Sequence, residues 1–265
     1  MTEPVVRFIH ISDTHITANP AVTNKNQAIL PAEGARALVR QINNLPFQPD
    51  FVLHTGDVAY DPTEADYRLA REILSDIQYP THYIPGNHDN SQVMQRVFLQ
   101  KEQIKPYYYY AFDVGNVQVI CLDSTGPAPA PAGTLIEEQL EWLRILCQAP
   151  DERPLVVAVH HNALAVGVPW LDEFMRMSNG DDLHQALLPA RDRLRGVFFG
   201  HIHQNQQVLR DGILYCSVLS SWYQIHSWPG QTETTYEPDA EPGFNVVTIT
   251  PNQTYIRHHR YPKPE

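Results

Sequence analysis

The chain has 265 residues, and its 19 lysines and arginines against 30 aspartates and glutamates give a formal net charge of −11. This balance excludes a basic protein that coats nucleic acid. Hydrophobic residues make up 43% and charged residues 18% of the chain, so its composition is that of a folded globular protein and excludes a disordered one. We expect a single domain over residues 1–265, since α/β domains often reach about 250 residues.

The N-terminus and the cysteines bear on the cellular compartment. The segment Met1-Thr2-Glu3-Pro4 has no basic stretch followed by an apolar one, and no window approaches the roughly 20 apolar residues of a membrane span. Three widely spaced cysteines form no C-x-x-C pair, which favours buried reduced thiols over a disulfide framework. We therefore expect a cytoplasmic protein that acts on no membrane and binds no nucleic-acid polymer.

Five short apolar runs along the chain each end in polar side chains. They predict buried strands at Val5–Ile11, Phe51–Leu53, Thr81–Ile84, Leu155–Val159 and Val197–Phe199. Between the strands, apolar residues at helical spacing predict helices at about Pro31–Asn44, Thr63–Ser75, Glu137–Leu146 and after Asp182. The alternation of strands and helices indicates a layered α/β fold.

Other regions have β-type patterns outside this alternation. The Gly115-Asn116 turn predicts a hairpin of Tyr107–Asp113 and Val117–Asp123 that need not belong to the parallel core. In the C-terminal third, runs that suggest a second sheet lie at Ile213–Ser217, Phe244–Ile249 and Thr254–His258. We expect two proline-containing loops, residues 126–133 and 228–243, to lie at the rim of a cleft.

The predicted strand ends carry side chains that bind metals. In chain order these are Asp13, His15, Asp57, Asn87, His88, His160, His201 and His203. Imidazole and carboxylate ligands without thiolate suit Mn, Fe, Co, Ni or Zn and argue against an iron–sulfur cluster. Even without His88 the set is too large for one tetrahedral zinc. It suffices for two ions that share a carboxylate, the arrangement used in two-metal phosphoryl transfer.

The order of the motifs is more specific than any one of them. The blocks are Asp13-x-His15, Gly56-Asp57, Gly86-Asn87-His88-Asp89, His160-His161 and Gly200-His201-x-His203. Together they resemble the calcineurin-like metallophosphoesterase superfamily in every block. The resemblance implies a four-layer α/β/β/α sandwich with two facing mixed sheets and with metal ligands on loops after the strands.

The resemblance also implies a role for each residue. One metal would be held by Asp13, His15 and His203, the second by Asn87, His160 and His201, and Asp57 would bridge both. A metal-bound hydroxide would be the nucleophile, with His88 as proton donor and Asp89 as the carboxylate that orients it. Whether His160 or His161 is the ligand stays open, although His160 is favoured because it directly ends its strand.

Further segments resemble the bacterial class III cyclic-nucleotide phosphodiesterase branch, which also contains glycerophosphodiesterases. These segments are Gln139-x-x-Trp142-Leu143, Trp170-x-Asp172 and Pro242-Gly243-Phe244. One departure is Asn162, where those relatives usually have proline after the histidine pair.

For the remaining histidines we expect structural roles. His10, His54 and His82 are expected near the core, and His184, His258 and His259 on the surface. Trp222 and Tyr223 either stack on a nucleobase or pack in the core. Tyr107–Tyr110 are expected to alternate faces on a strand.

The sequence thus predicts a dinuclear phosphodiesterase with two ions of Mn, Fe or Zn and a small phosphodiester substrate, first of all 3′,5′-cAMP. The alternatives within the same chemistry are a glycerophosphodiesterase and a broader phosphoesterase. A protein phosphatase would need a shallow open site, and a non-catalytic metal-binding scaffold would be expected to lose ligands that this chain keeps. A homodimer is an expectation from the family alone.

Overall fold

The computed structural model describes residues 6–22 and 29–264. The expectation for Met1–Pro4 and the first residue of the predicted strand Val5–Ile11 lie outside these ranges, so the single domain over residues 1–265 stays a prediction. In the described ranges, no helix combines the length and the apolar character needed to span a bilayer.

The strands follow the apolar runs closely. They are β1 (Val6–Ile11), β2 (Phe51–His54), β3 (Thr81–Tyr83), β4 (Tyr110–Val114), β5 (Val117–Cys121), β6 (Leu155–Ala158), β7 (Leu194–Phe198), β8 (Gln207–Arg210), β9 (Ile213–Cys216), β10 (Gln224–Ile225), β11 (Tyr236–Glu237), β12 (Gly243–Ile249) and β13 (Thr254–Arg260). Since β1, β2 and β6 are almost wholly buried, these strands have no polar face that would mark them by alternation.

The helices are α1 (Pro31–Asn43), α2 (Glu64–Leu74), α3 (Ser91–Val93), α4 (Glu137–Gln148), α5 (Pro169–Phe174) and α6 (Gly180–Leu187). A π-helical stretch, Met94–Phe98, follows α3, and a 3-10 turn, Leu188–Ala190, follows α6. Helix α2 begins after Thr63, whose side chain accepts a hydrogen bond from the amide of Asp66. The N-terminus of this helix is therefore capped as its sequence predicts.

The strands form two large mixed sheets. The first has the order β13-β12-β1-β2-β3, and the second β4-β5-β6-β7-β9-β8. Strands β1, β2 and β3 are parallel to one another, as are β5, β6, β7 and β9. Strands β10 and β11 form a separate two-stranded ribbon.

The sheets face each other across an apolar core. Phe8 of β1 stacks on Phe51 of β2 at 4.8 Å between ring centroids, and it meets Phe198 of β7 edge-on at 5.1 Å. Apolar side chains of α1 and α2 cover the outer face of the first sheet, and those of α4 and α6 cover the second. The result is the four-layer α/β/β/α sandwich with two facing mixed sheets that the resemblance implies.

The predicted hairpin forms, and through β5, which pairs in parallel with β6, it belongs to the second sheet. Two other expectations for the β structure are wrong. The C-terminal strands build no sheet of their own, because β9 pairs with β7, whereas β12 pairs with β1. Tyr107, Tyr108 and Tyr109 precede β4 and are not strand residues.

The expected surface position of His184 is also wrong. Its side chain is fully buried, with Nδ1 2.8 Å from the hydroxyl of Tyr215 and Nε2 2.9 Å from Oδ2 of Asp211. His184 lies three residues before Leu187, which places it on the same buried face of α6. A buried histidine is tolerated there because both ring nitrogens have partners.

Candidate metal centre

The predicted metal ligands meet where the carboxyl ends of strands from both sheets come together. Asp13, Asp57 and Asn87 follow β1, β2 and β3, whereas His160, His201 and His203 follow β6 and β7. Two contacts join the sheets there: Nδ1 of His160 lies 2.7 Å from the carbonyl oxygen of Thr55, and the amide of His201 donates to the carboxylate of Asp13. The sandwich thus brings both sets of strand ends to one place.

One group of facing donor atoms consists of Asp13, His15 and His203. The Nε2 atoms of the two histidines lie 3.0 Å apart, and Oδ1 of Asp13 is 3.4 Å from Nε2 of His203 and 3.9 Å from that of His15. All three side chains are buried.

The second group surrounds His160. Its Nε2 lies 3.1 Å from Oδ1 of Asn87 and 3.3 Å from Oδ2 of Asp57, and its ring centroid is 5.0 Å from that of His201. Oδ2 of Asp57 is also 3.6 Å from Nε2 of His15. Asp57 therefore contacts both groups, as a bridging ligand must.

Backbone carbonyl groups fix which ring nitrogen each histidine presents. A carbonyl oxygen only accepts, so the ring nitrogen beside it carries the proton. Nδ1 of His160 faces Thr55, and Nδ1 of His203 lies 2.9 Å from the carbonyl oxygen of Tyr223. This leaves Nε2 of each ring facing the carboxylates, so Nε2 is the atom that each ring would offer to a metal.

His201 has the opposite arrangement. Its Nε2 lies 3.0 Å from the carbonyl oxygen of Met175, so its Nδ1 is the free donor atom. The sequence alone gives no signal for these carbonyl partners, because they come from loops distant along the chain.

The backbone is strained at the ligand positions. Left-handed φ angles occur at Asp13 (54°), His15 (45°), Asp57 (55°), His201 (69°) and His203 (46°). Such angles are uncommon outside glycine and cost of order 1–3 kcal/mol each. Their concentration at one site indicates that the surrounding fold holds these side chains in position against local preference.

Two glycines allow the backbone to approach the ligands. Gly56 has a φ of +104°, and a Cβ placed on it would lie 2.5 Å from Nδ1 of His160. A Cβ on Gly86 would lie 2.3 Å from Oδ1 of Asp57 and 2.7 Å from Cε1 of His160. The backbone of these loops therefore approaches the ligands closely, as only glycine allows.

Burial and the paired charges move the pKa values of the site in opposite directions. Burial lowers the pKa of His201 to about 3 and holds that of His15 well below its usual range. For His160, burial is the largest single cause and lowers the pKa, but the charges of Asp57 and Asp13 and the hydrogen bonds to Asp57 and Thr55 together raise the net pKa to about 9. Burial alone would raise the pKa of Asp57, yet His160 holds it well below its usual value.

The donor set fits two metal ions. Histidines and aspartates form four overlapping groups, and within each group the ligand atoms lie within 4.8 Å of one another. Every residue of these groups is buried except His88, which is half-buried. Within the described structure, Nδ1 of His15 is buried without a hydrogen-bond partner. Nitrogen donors and carboxylates facing one another at 3.0–3.9 Å, without any thiolate, are the chemistry of a dinuclear site for first-row divalent ions.

The two residues predicted to be catalytic have different surroundings. His88 is half-buried, its ring lies 4.7 Å from that of His15, and its Nδ1 is 2.8 Å from the carbonyl oxygen of Tyr60.

The expectation that Asp89 orients His88 is wrong. The Asp89 carboxylate is buried and occupied by the amides of Val58, Ala59 and Gly86 and by the hydroxyl of Tyr67. Asp89 thus holds together the loops that carry Asp57 and Asn87.

His161 lies beside the second group. Its ring is 4.5 Å from that of His201, its Nδ1 lies 2.7 Å from the hydroxyl of Ser124, and its Nε2 is buried without a partner in the described structure. His160 contacts Asp57 and Asn87 directly. This geometry favours His160 as the ligand, and the choice stays a prediction.

A cavity of about 160 Å³ opens onto the ligand atoms, and aromatic side chains surround its mouth. Trp170 and Phe174 of α5 and Tyr223 line it, together with Thr234 and Tyr236 from the loop 228–243. The sequence pattern did not single out Phe174, which is 64% exposed although apolar. Phe174 therefore presents apolar surface at this cavity.

The two proline-containing loops differ in position. The loop 228–243 lies at the rim of the cavity as expected, whereas Gly133 of the loop 126–133 packs against the ring of His161. Trp222 is buried and donates its indole N–H to the carbonyl of Ile29, so it packs in the core.

Comparison with known proteins identifies the class. The sequence profile of calcineurin-like phosphoesterases matches residues 6–205. The chain therefore belongs to the calcineurin-like phosphoesterase family.

Curated relatives and solved structures agree with this assignment. The 3′,5′-cyclic-nucleotide phosphodiesterase alr5338 of Nostoc is 28% identical over 94% of this chain and 90% of its own length. The 3′,5′-cyclic adenosine monophosphate phosphodiesterase CpdA of Pseudomonas aeruginosa is 30% identical over 94% and 87%. A probable glycerophosphodiester phosphodiesterase, GpdQ of Arcobacter nitrofigilis, is 27% identical over 82% and 79%. A dimetal phosphatase from Danio rerio has the same fold, with a TM-score of 0.71 at 14% identity over 96% of this chain and 99% of that one.

Proposed function

We propose that this metal-dependent phosphoric diester hydrolase acts on a small phosphodiester, with 3′,5′-cyclic adenosine monophosphate as its first candidate substrate. The observation that carries the proposal is the position of Asp57 between the two groups of donors, 3.6 Å from His15 and 3.3 Å from His160. The names of the relatives supply the substrate class, since two act on cyclic nucleotides and one is a probable glycerophosphodiesterase.

Each residue in the centre has a proposed role. Asp13, His15 and His203 would hold one ion, Asn87, His160 and His201 would hold the other, and Asp57 would be shared between them. When bound, two divalent ions supply Lewis acidity that activates water and offsets the charge of the phosphate. Manganese, iron and zinc all suit imidazole and carboxylate donors.

His88 is the proposed proton donor to the leaving oxygen. Its Nδ1–H donates to the carbonyl of Tyr60, which fixes the ring and leaves Nε2 free to carry a proton. Its half-buried position beside the cavity lets it reach a bound substrate. Such general-acid assistance contributes ~10² to 10⁴ in rate when the leaving group is an alkoxide.

The cavity supports a small substrate. The aromatic side chains that line it suit a phosphodiester with a flat base better than the surface of a phosphoprotein. Tyr223, Trp170 and Phe174 offer ring faces on which a nucleobase stacks.

The proposal is tested by the hydrolysis of 3′,5′-cAMP, bis(p-nitrophenyl) phosphate, glycerophosphocholine and p-nitrophenyl phosphate by chelator-stripped protein with and without added Mn. We expect metal-dependent cleavage of cAMP and of the nitrophenyl diester, with little cleavage of the monoester. Cleavage of glycerophosphocholine without cAMP would assign the chain to the glycerophosphodiesterases. If none of the four substrates is hydrolysed with Mn, Fe or Zn, the proposal is contradicted and a non-catalytic metal-binding scaffold is favoured.

A further inference from the structure

A second cavity, of about 530 Å³, shares no lining residue with the cavity at the metal centre. It is lined by residues of β3, an edge strand of the first sheet, and of β4, an edge strand of the second sheet. We name it the lysine–aromatic groove and define it by His82, Lys101, Lys105, Tyr108, Tyr110 and Phe112. None of the functions assigned to the metal centre uses these residues.

One wall of the groove is a continuous run of aromatic rings. The rings of His82 and Phe112 are parallel within 7° at 3.5 Å between centroids, and Tyr110 stacks on Phe112 at 6.0 Å. Tyr108 continues the wall at 4.9 Å from Tyr110. All four side chains are half-buried, so the wall is partly exposed to a ligand in the groove.

The groove is cationic on an acidic protein. It contains two of the four lysines of a chain whose net charge is −11, and none of the described lining residues is acidic. Nζ of Lys101 lies 5.8 Å from the ring centroid of Tyr108, and Nζ of Lys105 lies 6.0 Å from that of Tyr109. Both ammonium groups thus lie beside aromatic rings that line the groove.

Hydrogen bonds fix the backbone around the groove. The buried side chain of Gln95 both donates to the carbonyl and accepts from the amide of Lys105, at 2.8 and 3.0 Å. The amide of Tyr108 donates to Asp123, and the hydroxyl of Tyr110 donates to the carbonyl of Tyr83. This segment is therefore held in place before any ligand arrives, which lowers the entropic cost of binding.

We propose that the lysine–aromatic groove is a second binding site and that it takes a mononucleotide. The base stacks on the wall of His82, Phe112 and Tyr110, and the phosphate pairs with Lys101 and Lys105. A nucleotide needs a flat apolar face and a cationic contact side by side, and the groove provides both within a volume typical of small-molecule sites. Burial, and next the charge of Lys101, lower the pKa of His82 to about 4, so the stacking ring is neutral at physiological pH.

The test is calorimetric titration of the metal-loaded full chain with 5′-AMP. We compare the wild type with the double variant Lys101→Ala/Lys105→Ala and with Phe112→Leu, which keeps an apolar side chain but removes the ring face. The matched control is Arg68→Ala/Arg191→Ala, which removes two exposed positive charges outside the groove. Hydrolysis of bis(p-nitrophenyl) phosphate is measured in parallel and is expected to be unchanged in the Lys101→Ala/Lys105→Ala variant.

The wild type and the arginine control are expected to bind AMP in the groove with equal affinity. The lysine variant and Phe112→Leu are expected to bind there about tenfold more weakly or worse. Adenosine and inorganic phosphate, each tested alone, are expected to bind more weakly than AMP. An AMP titration of the lysine variant that matches the arginine control would overturn the proposal. Phosphate binding that is as tight as that of AMP and is lost in the lysine variant would also overturn it and show a simple anion site.

Discussion

Oδ2 of Asp57 lies 3.3 Å from Nε2 of His160, although the two residues follow strands of different sheets. The same oxygen atom lies 3.6 Å from Nε2 of His15. The metal centre is therefore built across the junction of the two sheets, and Asp57 joins its halves. Any change that separates the sheets at this edge disrupts both proposed metal positions at once.

For the bridging role, we expect Asp57→Asn to lose at least one of two ions per chain. Asparagine preserves the size of the side chain but removes the negative charge that two cations would share. Elemental analysis of the purified variant measures the loss. Asp211→Asn is the control, since Asp211 is half exposed and contacts His184 outside the centre. An Asp57→Asn variant with two ions per chain would contradict the bridging role.

His88→Ala is expected to retain its metals and to lose turnover according to the leaving group. On alkyl diesters, whose leaving oxygen needs a proton, we expect the rate to fall by ~10² to 10⁴. On p-nitrophenyl esters, whose leaving group departs as a stable anion, the loss should be much smaller. Steady-state rates on matched alkyl and nitrophenyl esters measure this difference. An equal loss on both would rule out proton donation by His88.

Gly86→Ala tests the close approach of the backbone to the ligands. The added Cβ would meet Oδ1 of Asp57 at 2.3 Å, so the bridging carboxylate must move. We expect metal affinity to fall about tenfold or more, measured by competition with a chelator. Gly212→Ala is the control for backbone strain, because its φ is +82° and its Cβ would meet nothing within 4 Å. Equal metal affinity in both variants would show that the crowding at Gly86 is harmless.

The buried His10 is expected to make stability depend on pH. Its Nε2 lies 3.0 Å from the hydroxyl of Thr55, and burial lowers its pKa to about 3. Between that value and about 6.5 the unfolded chain binds the proton and the folded chain does not, so stability is lost as the pH falls.

Urea unfolding of the wild type and of His10→Gln measures this contribution. The difference in unfolding free energy between them should shrink by about 2 kcal/mol from pH 7.5 to pH 5.0. Glutamine does not titrate, and both proteins contain the same other ionisable groups. The contributions of those groups to the pH dependence therefore cancel in the difference. A difference that stays constant over this range would show that His10 does not carry the effect.

Much of the centre could be predicted from the sequence because its signals are local. His160 comes directly after a short apolar run, Asp13 and Asp57 come two and four residues after theirs, and the carboxyl ends of parallel strands meet at one edge of a sheet. The order of the motifs then indicates that both sheets contribute. The positions of the five ligand-bearing strands in the structure follow from these patterns.

The remaining features depend on partners that are distant along the chain. Nothing around Gly243–Ile249 shows that this run pairs with β1, nor does any local pattern place Asp211 beside His184. The role of Asp89 was misjudged for the same reason. Its neighbour in sequence is His88, but its hydrogen-bond partners are amides of the loop after β2, the amide of Gly86 in its own loop and the hydroxyl of Tyr67.

The most direct test of the two-metal account is a titration of chelator-stripped protein with Mn, in which the hydrolysis of bis(p-nitrophenyl) phosphate is recorded at each ratio of metal to chain. We expect activity to rise from zero and to level off at two ions per chain, and the Asp57→Asn variant to stay inactive throughout. Full activity without metal, or a plateau at one ion per chain, would contradict the account.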